Sequence, residues 1–202
     1  MQFRLIFILA TALLLAACGD SGPGMKPLSD DAVVLAFGDS LTEGYGASSN
    51  ESYPARLASL SGLNVINAGI SGEVSALGLK RLPGLLEKHA PDLVILCHGG
   101  NDFLRKKSMT ELENNIREMI RLSREQGAEV VMLGVPKPGL FLSSYEAYER
   151  IANETGVVFI DDLIPEVLGD KSLKSDTVHP NSRGYLVMAE AIHAELQDRG
   201  AL

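Results

Sequence analysis

Ser40, in Gly38-Asp39-Ser40-Leu41, stands directly after an apolar run and close to several glycines. A serine hydroxyl attacks an acyl carbonyl only when a base removes its proton, and that base is most often a histidine oriented by a carboxylate. Four histidines are available. His89 lies before Ala90-Pro91 at a helix end, His193 belongs to the surface of the last helical segment, and His98 is either a pocket wall or a buried residue. His179 differs, because it sits in the polar stretch Ser175-Asp176-Thr177-Val178-His179-Pro180-Asn181, with Asp176 three residues earlier. That spacing puts both side chains on one face of a single turn. Asp176 could then hold the Nδ1 proton and leave Nε2 pointing outward. Acyl transfer also needs donors for an oxyanion. The candidates are the N–H of Ser40 at a helix start, the N–H of Gly72, where no Cβ obstructs a substrate, and the side-chain amide of Asn101. Each has a plain structural alternative. Ser40 reads equally well as a helix cap, and Asn101 as the cap of the next segment. Asp39 and Asp102 are expected to fix their loops rather than to catalyse.

These residues are far apart in the chain, so strands and helices must bring them together. Short, mostly apolar runs at 32–37, 63–67, 92–97, 129–133 and 157–160 lack a polar face, as expected of parallel strands buried on both sides. Helical patterns at 53–60, 75–89, 110–126, 144–155 and 181–196 alternate with them. The clearest is 110–126, where Leu112, Ile116, Met119 and Ile120 form one apolar stripe. Thr110 with Glu113 has the pattern of a capping box, and Gly127 stands where a C-terminal cap belongs. Five strands alternating with helices imply an α/β fold, a doubly wound parallel sheet. In the strand order 2-1-3-4-5 direction reverses between strands 1 and 3, and ligands bind outside the carboxyl ends of the strands at that point. Ser40 follows strand 1, Gly72 follows strand 2 and Asn101 follows strand 3.

The first residues read as processing rather than fold. Arg4 supplies a positive charge, and residues 5–17 are apolar except for Thr11. That run is well short of the roughly 20 residues a membrane-spanning helix needs, and it suits the core of a secretory signal at 1–17. Leu15-Ala16-Ala17-Cys18 resembles the lipobox of bacterial lipoproteins, which implies lipidation of Cys18 and a location in the cell envelope, facing the periplasm. Residues 18–30 then read as anchor and flexible tether, and 31–202 as a single domain. The only other cysteine, Cys97, lies in an apolar run and is expected to be a buried small hydrophobe. A formal charge of −8 without basic runs argues against nucleic acid as a partner.

The set Gly38-Asp39-Ser40-Leu41, Gly72, Gly99-Gly100-Asn101-Asp102 and Asp176-Thr177-Val178-His179 resembles the SGNH hydrolases, also called the GDSL esterase/lipase family. Within that family, residues 67–89 and the Gly-Gly-Asn-Asp block are most similar to the thioesterase I/lysophospholipase branch and related arylesterases. The resemblance implies a flavodoxin-like three-layer α/β/α fold with five parallel strands and no metal or cofactor. It implies Ser40 as nucleophile, His179 as base and acid, Asp176 as orienting carboxylate, and Ser40, Gly72 and Asn101 as oxyanion donors. The family glycine falls on Gly72 through Ile70-Ser71-Gly72, which leaves Gly69 to turn chemistry. Position 42 is Thr, so the Gly-x-Ser-x-Gly elbow of the other large serine-esterase fold is absent. Leu140, Phe141 and Leu142 are expected to line or gate an acyl site. Aryl esters, thioesters and lysophospholipids all remain open as substrates, as does deacetylation of a wall sugar. The rival class is a non-catalytic lipoprotein that binds a ligand without turnover.

Overall fold

A computed structural model describes residues 24–137 and 142–202. Cys18 and the signal segment, like Leu140 and Phe141, lie outside the described residues. In chain order the elements are β1 (Val33–Gly38), α1 (Ser40–Glu43), a single 3-10 turn (Ser49–Glu51), α2 (Tyr53–Ser61), β2 (Asn64–Gly69), α3 (Ser75–His89), β3 (Leu93–Cys97), α4 (Gly100–Leu104), α5 (Met109–Glu125), β4 (Glu129–Leu133), α6 (Ala147–Thr155), β5 (Val158–Ile160), α7 (Leu163–Gly169) and α8 (Ser182–Asp198).

The five strands form one parallel sheet, and its order, β2-β1-β3-β4-β5, is the expected one. The reversal of direction after β2 places α3, α5 and α6 on one face and α2, α7 and α8 on the other, since crossovers keep one hand. The expectation of strands buried on both sides holds for β1 and β3 and fails at the edges. β2 exposes Asn64 and Asn67, because an edge strand has helices over only part of its faces.

The apolar stripe of α5 is buried throughout, with Leu112, Ile116, Met119 and Ile120 each at most 2% exposed. Its cap is not the Thr110/Glu113 box. The helix starts earlier, and the Ser108 side chain accepts the Glu111 N–H. Helix α6 begins at Ala147 rather than 144, because Ser144 pairs with Pro136 in an antiparallel bridge and its hydroxyl donates to the Asp161 carbonyl. Helix α4 escaped the sequence reading because it is too short to show a full amphipathic period. Within the stretch read as a tether, Met25 and Leu28 donate backbone hydrogen bonds to the carbonyls of Arg199 and Ala201. Cys97 is fully buried and unpaired, and burial pushes its thiol well above the ordinary value.

Candidate active site

β1 delivers Ser40 to the carboxyl edge of the sheet. Its last residue, Gly38, is in register with Gly69 on one side and Cys97 on the other. A Cβ there would lie 2.3 Å from the Cys97 carbonyl oxygen and 2.2 Å from Thr42 Oγ1, so only glycine fits. The chain then turns into α1, and the cap of that helix is Asp39. Its carboxylate accepts from the Leu41 N–H at 3.1 Å, and its carbonyl accepts from Thr42 and Glu43. Ser40 is therefore the first helical residue and not the cap. Its N–H has no acceptor among the described residues, and its hydroxyl is free for another partner.

That partner arrives from 139 residues away, with His179 Nε2 lying 2.9 Å from Ser40 Oγ. On the other side of the ring, His179 Nδ1 lies 2.8 Å from Asp176 Oδ2. The carboxylate accepts, so the pattern assigns the proton to Nδ1 and makes Nε2 the acceptor facing Ser40. The expected single turn is present, but a carboxylate rather than a helix shapes it. Asp176 Oδ1 accepts the Val178 N–H at 2.8 Å and the His179 N–H at 2.9 Å. Partial burial pushes the Asp176 carboxyl up, but the Val178 N–H and the His179 ring outweigh it and hold the group below its usual range. Ser175 closes the loop by donating its N–H to the His179 carbonyl, and Asn181 caps α8 directly after it. The Tyr45 ring packs on the imidazole with centroids 4.5 Å apart.

The expected oxyanion donors face the same cleft. Gly72 has φ +77, a backbone that glycine adopts without strain, and its N–H has no acceptor among the described residues. Asn101 lies not in a loop but in the first turn of α4. Its Nδ2 donates to Asp39 Oδ2 at 3.1 Å, which fixes which end of the amide is nitrogen and leaves one N–H for a ligand. Burial raises the Asp39 carboxyl above its usual value, while nearby His98, the Leu41 N–H and the Asn101 amide pull it back. Asp102, as expected, fixes structure by accepting from both the N–H and the hydroxyl of Ser75 at 2.8 Å, which ties α4 to the start of α3.

The cleft encloses about 520 Å³ beside Ser40, and Leu41, Leu104, Val135, Leu142 and Leu168 give it an apolar wall. Of the three residues expected at an acyl site, Leu142 is thus placed on this wall. Leu104 and Leu168 were missed because they belong to α4 and α7. A signal for α7 was available in Leu163, Ile164, Val167 and Leu168, which recur at helical spacing and are all buried. His98 is a buried residue and not a lining one.

The serine, its histidine and the free N–H groups meet where strand order reverses, the arrangement of a hydrolase of the SGNH kind. The chain belongs to the GDSL-like Lipase/Acylhydrolase family, whose model matches residues 36–187. An arylesterase of Vibrio mimicus is 33% identical over 174 residues, covering 81% of this chain and 87% of the relative. The thioesterase 1/protease 1/lysophospholipase L1 of Escherichia coli (strain K12) is 32% identical over 172 residues, covering 81% and 83%. The crystal structure of TesA superposes with a TM-score of 0.75 at 28% identity, covering 83% of this chain and 99% of that one.

Proposed function

We propose that this protein hydrolyses carboxylic esters or thioesters in two steps through Ser40, His179 and Asp176. The observation that carries the reading is the unbroken relay of 2.9 Å from Ser40 Oγ to His179 Nε2 and 2.8 Å from His179 Nδ1 to Asp176. Ser40 Oγ attacks the acyl carbonyl carbon while His179 Nε2 takes the hydroxyl proton, and Asp176 stabilises the imidazolium that forms. The oxyanion faces the N–H groups of Ser40 and Gly72 and the Asn101 amide. Collapse of the tetrahedral intermediate expels the alkoxide or thiolate, which leaves with the proton from His179. A water molecule then gives its proton to His179, attacks the acyl-enzyme and releases the acid and free Ser40.

The substrate side of the reading rests on the apolar wall. Tyr45, Leu104 and Leu142 line the cleft while 55%, 52% and 41% exposed, so its mouth is greasy as well as its floor. Such a site suits a hydrophobic acyl or aryl group, in keeping with relatives named arylesterase and thioesterase/lysophospholipase. The lipid anchor on Cys18 and the envelope location rest on the apolar run and the small residues before that cysteine.

The test is hydrolysis of p-nitrophenyl esters of increasing acyl length by the native protein and by Ser40→Ala, with fluorophosphonate labelling of both. Native turnover and labelling that vanish in a folded Ser40→Ala protein are expected. Full activity in the variant would sink the mechanism, and a native protein that binds esters without turnover or labelling would favour the binding-module class.

A further inference from the structure

Gly72 offers its N–H to the cleft without any hydrogen bond holding that group itself, so the backbone on either side must set its direction. Gly72 sits third in a turn that the Glu73 N–H closes onto the Ile70 carbonyl at 3.1 Å. Its φ of +77 lies in the region where glycine has more freedom than any other residue. Two arginines from different helices restrict that freedom. Arg105, at the end of α4, donates Nη2–H to the Gly72 carbonyl at 2.8 Å from an exposed position. Arg81, on α3, grips the carboxylate of the next residue, Glu73, through Nε at 2.9 Å and Nη2 at 2.6 Å. The same Nη2 reaches the Ala68 carbonyl at 2.8 Å and the Gly38 carbonyl at 3.4 Å. One guanidinium thus joins the end of β2, the residue before Asp39-Ser40, and the residue after Gly72. The Glu73 side chain is only 6% exposed, and the Arg81 guanidinium lies 4.4 Å from the centre of the Phe37 ring. His98, directly after β3, closes the cluster, with Nε2 3.3 Å from Glu73 Oε2. Nothing in the relay from Ser40 to Asp176 needs any of these groups.

We propose that Arg81 and Arg105 are positioning residues for the oxyanion donor Gly72. Arg105 holds the peptide plane that follows Gly72, and Arg81 ties the Glu73 anchor to the strand ends that carry Ser40. A bidentate guanidinium does this where an ammonium cannot, because its fork fixes the carboxylate plane. The inference rests on the hydrolase reading above and deepens it at one donor.

The experiment compares the full chain with Arg105→Met, Arg105→Lys, Arg81→Lys and Ser40→Ala. The readouts are kcat and KM on a p-nitrophenyl ester, the thermal midpoint, and inhibition by a trifluoromethyl ketone of the same acyl length. Its hemiketal oxygen needs the same donors as the transition state. Arg105→Met removes an exposed contact, so its thermal midpoint should match the native one. Its kcat should fall about tenfold, and that of Arg81→Lys roughly 10²-fold, since small misplacements of a reacting geometry cost on that order. KM should stay within about twofold, the ketone should weaken by the same factor as kcat/KM, and Arg105→Lys should recover part of the loss, as expected of an interaction made in the transition state alone. Native kcat in both Arg105→Met and Arg81→Lys, or losses confined to KM with unchanged ketone affinity, would overturn the positioning role while a dead Ser40→Ala protein leaves the hydrolase reading standing. Turnover that survives in Ser40→Ala would overturn both.

Discussion

The two arms of the site are held by different kinds of contact. The arm that carries the base is a surface loop, and the bonds that shape it stay within a few residues. Asp176 takes the N–H groups of Val178 and His179 as well as the His179 ring, and Ser175 closes onto His179 and Pro180. Its carboxylate is 44% exposed. The arm that carries the oxyanion donors is built from distant pieces of chain packed at the sheet edge. Asn101 is held by Asp39, 62 residues away, and Arg81 joins Glu73 to the ends of β1 and β2. Holding a base in the right tautomer is thus a local problem that one turn solves. Aiming donors at a point in space is a tertiary problem, and it needs three strand ends in register.

The difference predicts separate signatures for damage to each arm. The largest effect after loss of Ser40 itself should come from Asp176→Asn. The amide oxygen can keep the Val178 and His179 N–H bonds, so the loop survives. The amide nitrogen, however, would face His179 Nδ1 and drive its proton to Nε2, the tautomer that cannot accept from Ser40. A kcat loss of roughly 10³–10⁴-fold follows, with the thermal midpoint near native. Asn101→Ala should cost less in rate, about 10²–10³-fold in kcat for one oxyanion donor. It should cost more in stability, because the buried Asp39 carboxylate loses a partner at about 1–3 kcal/mol. Steady-state kinetics with paired thermal melts check both variants. A large drop in midpoint for Asp176→Asn with none for Asn101→Ala would break the contrast.

The same contrast explains what could be read in advance. The doubly wound parallel sheet followed from five apolar runs with helices between them, since a parallel sheet imprints itself as uninterrupted burial, as in β3, and the flavodoxin-like order came with the family resemblance. The Asp176/His179 pair was legible because its partners are neighbours in sequence. Gly72 and Asn101 were legible as glycine and amide in loops after the strands beside Ser40, and the family resemblance chose Gly72 over Gly69. The scaffolding behind them was not legible. No spacing relates Arg81 to Ala68, Glu73 and Gly38, or Arg105 to Gly72, because the fold alone brings those groups together. Ser40 as a helix cap was a fair local reading, and Asp39 takes that role because its carboxylate reaches the Leu41 N–H while Ser40 faces His179.

The smallest effect sharpens the contrast most directly, because it reads the packed arm through pH alone. Burial pushes the Glu73 carboxyl up, but His98 and the Arg81 guanidinium outweigh it and bring the group down to about 2. An unfolded glutamate titrates at about 4.3. A carboxyl held lower in the folded state contributes stability that is fully present above the unfolded value and is lost as pH falls through the folded one. The native protein should therefore melt above Glu73→Gln by a constant margin at neutral pH. That margin should narrow from about pH 5 downward and close near 2. Asp176→Asn should show a narrowing of the same sign but smaller size, because the Asp176 carboxyl is also held low yet stands far more in water. Melts of the three proteins between neutral pH and strong acid decide it. A margin for Glu73→Gln that is independent of pH would mean that the cluster holds the protonated Glu73 acid as well as the carboxylate. The packed arm would then owe its rigidity to shape rather than to charge.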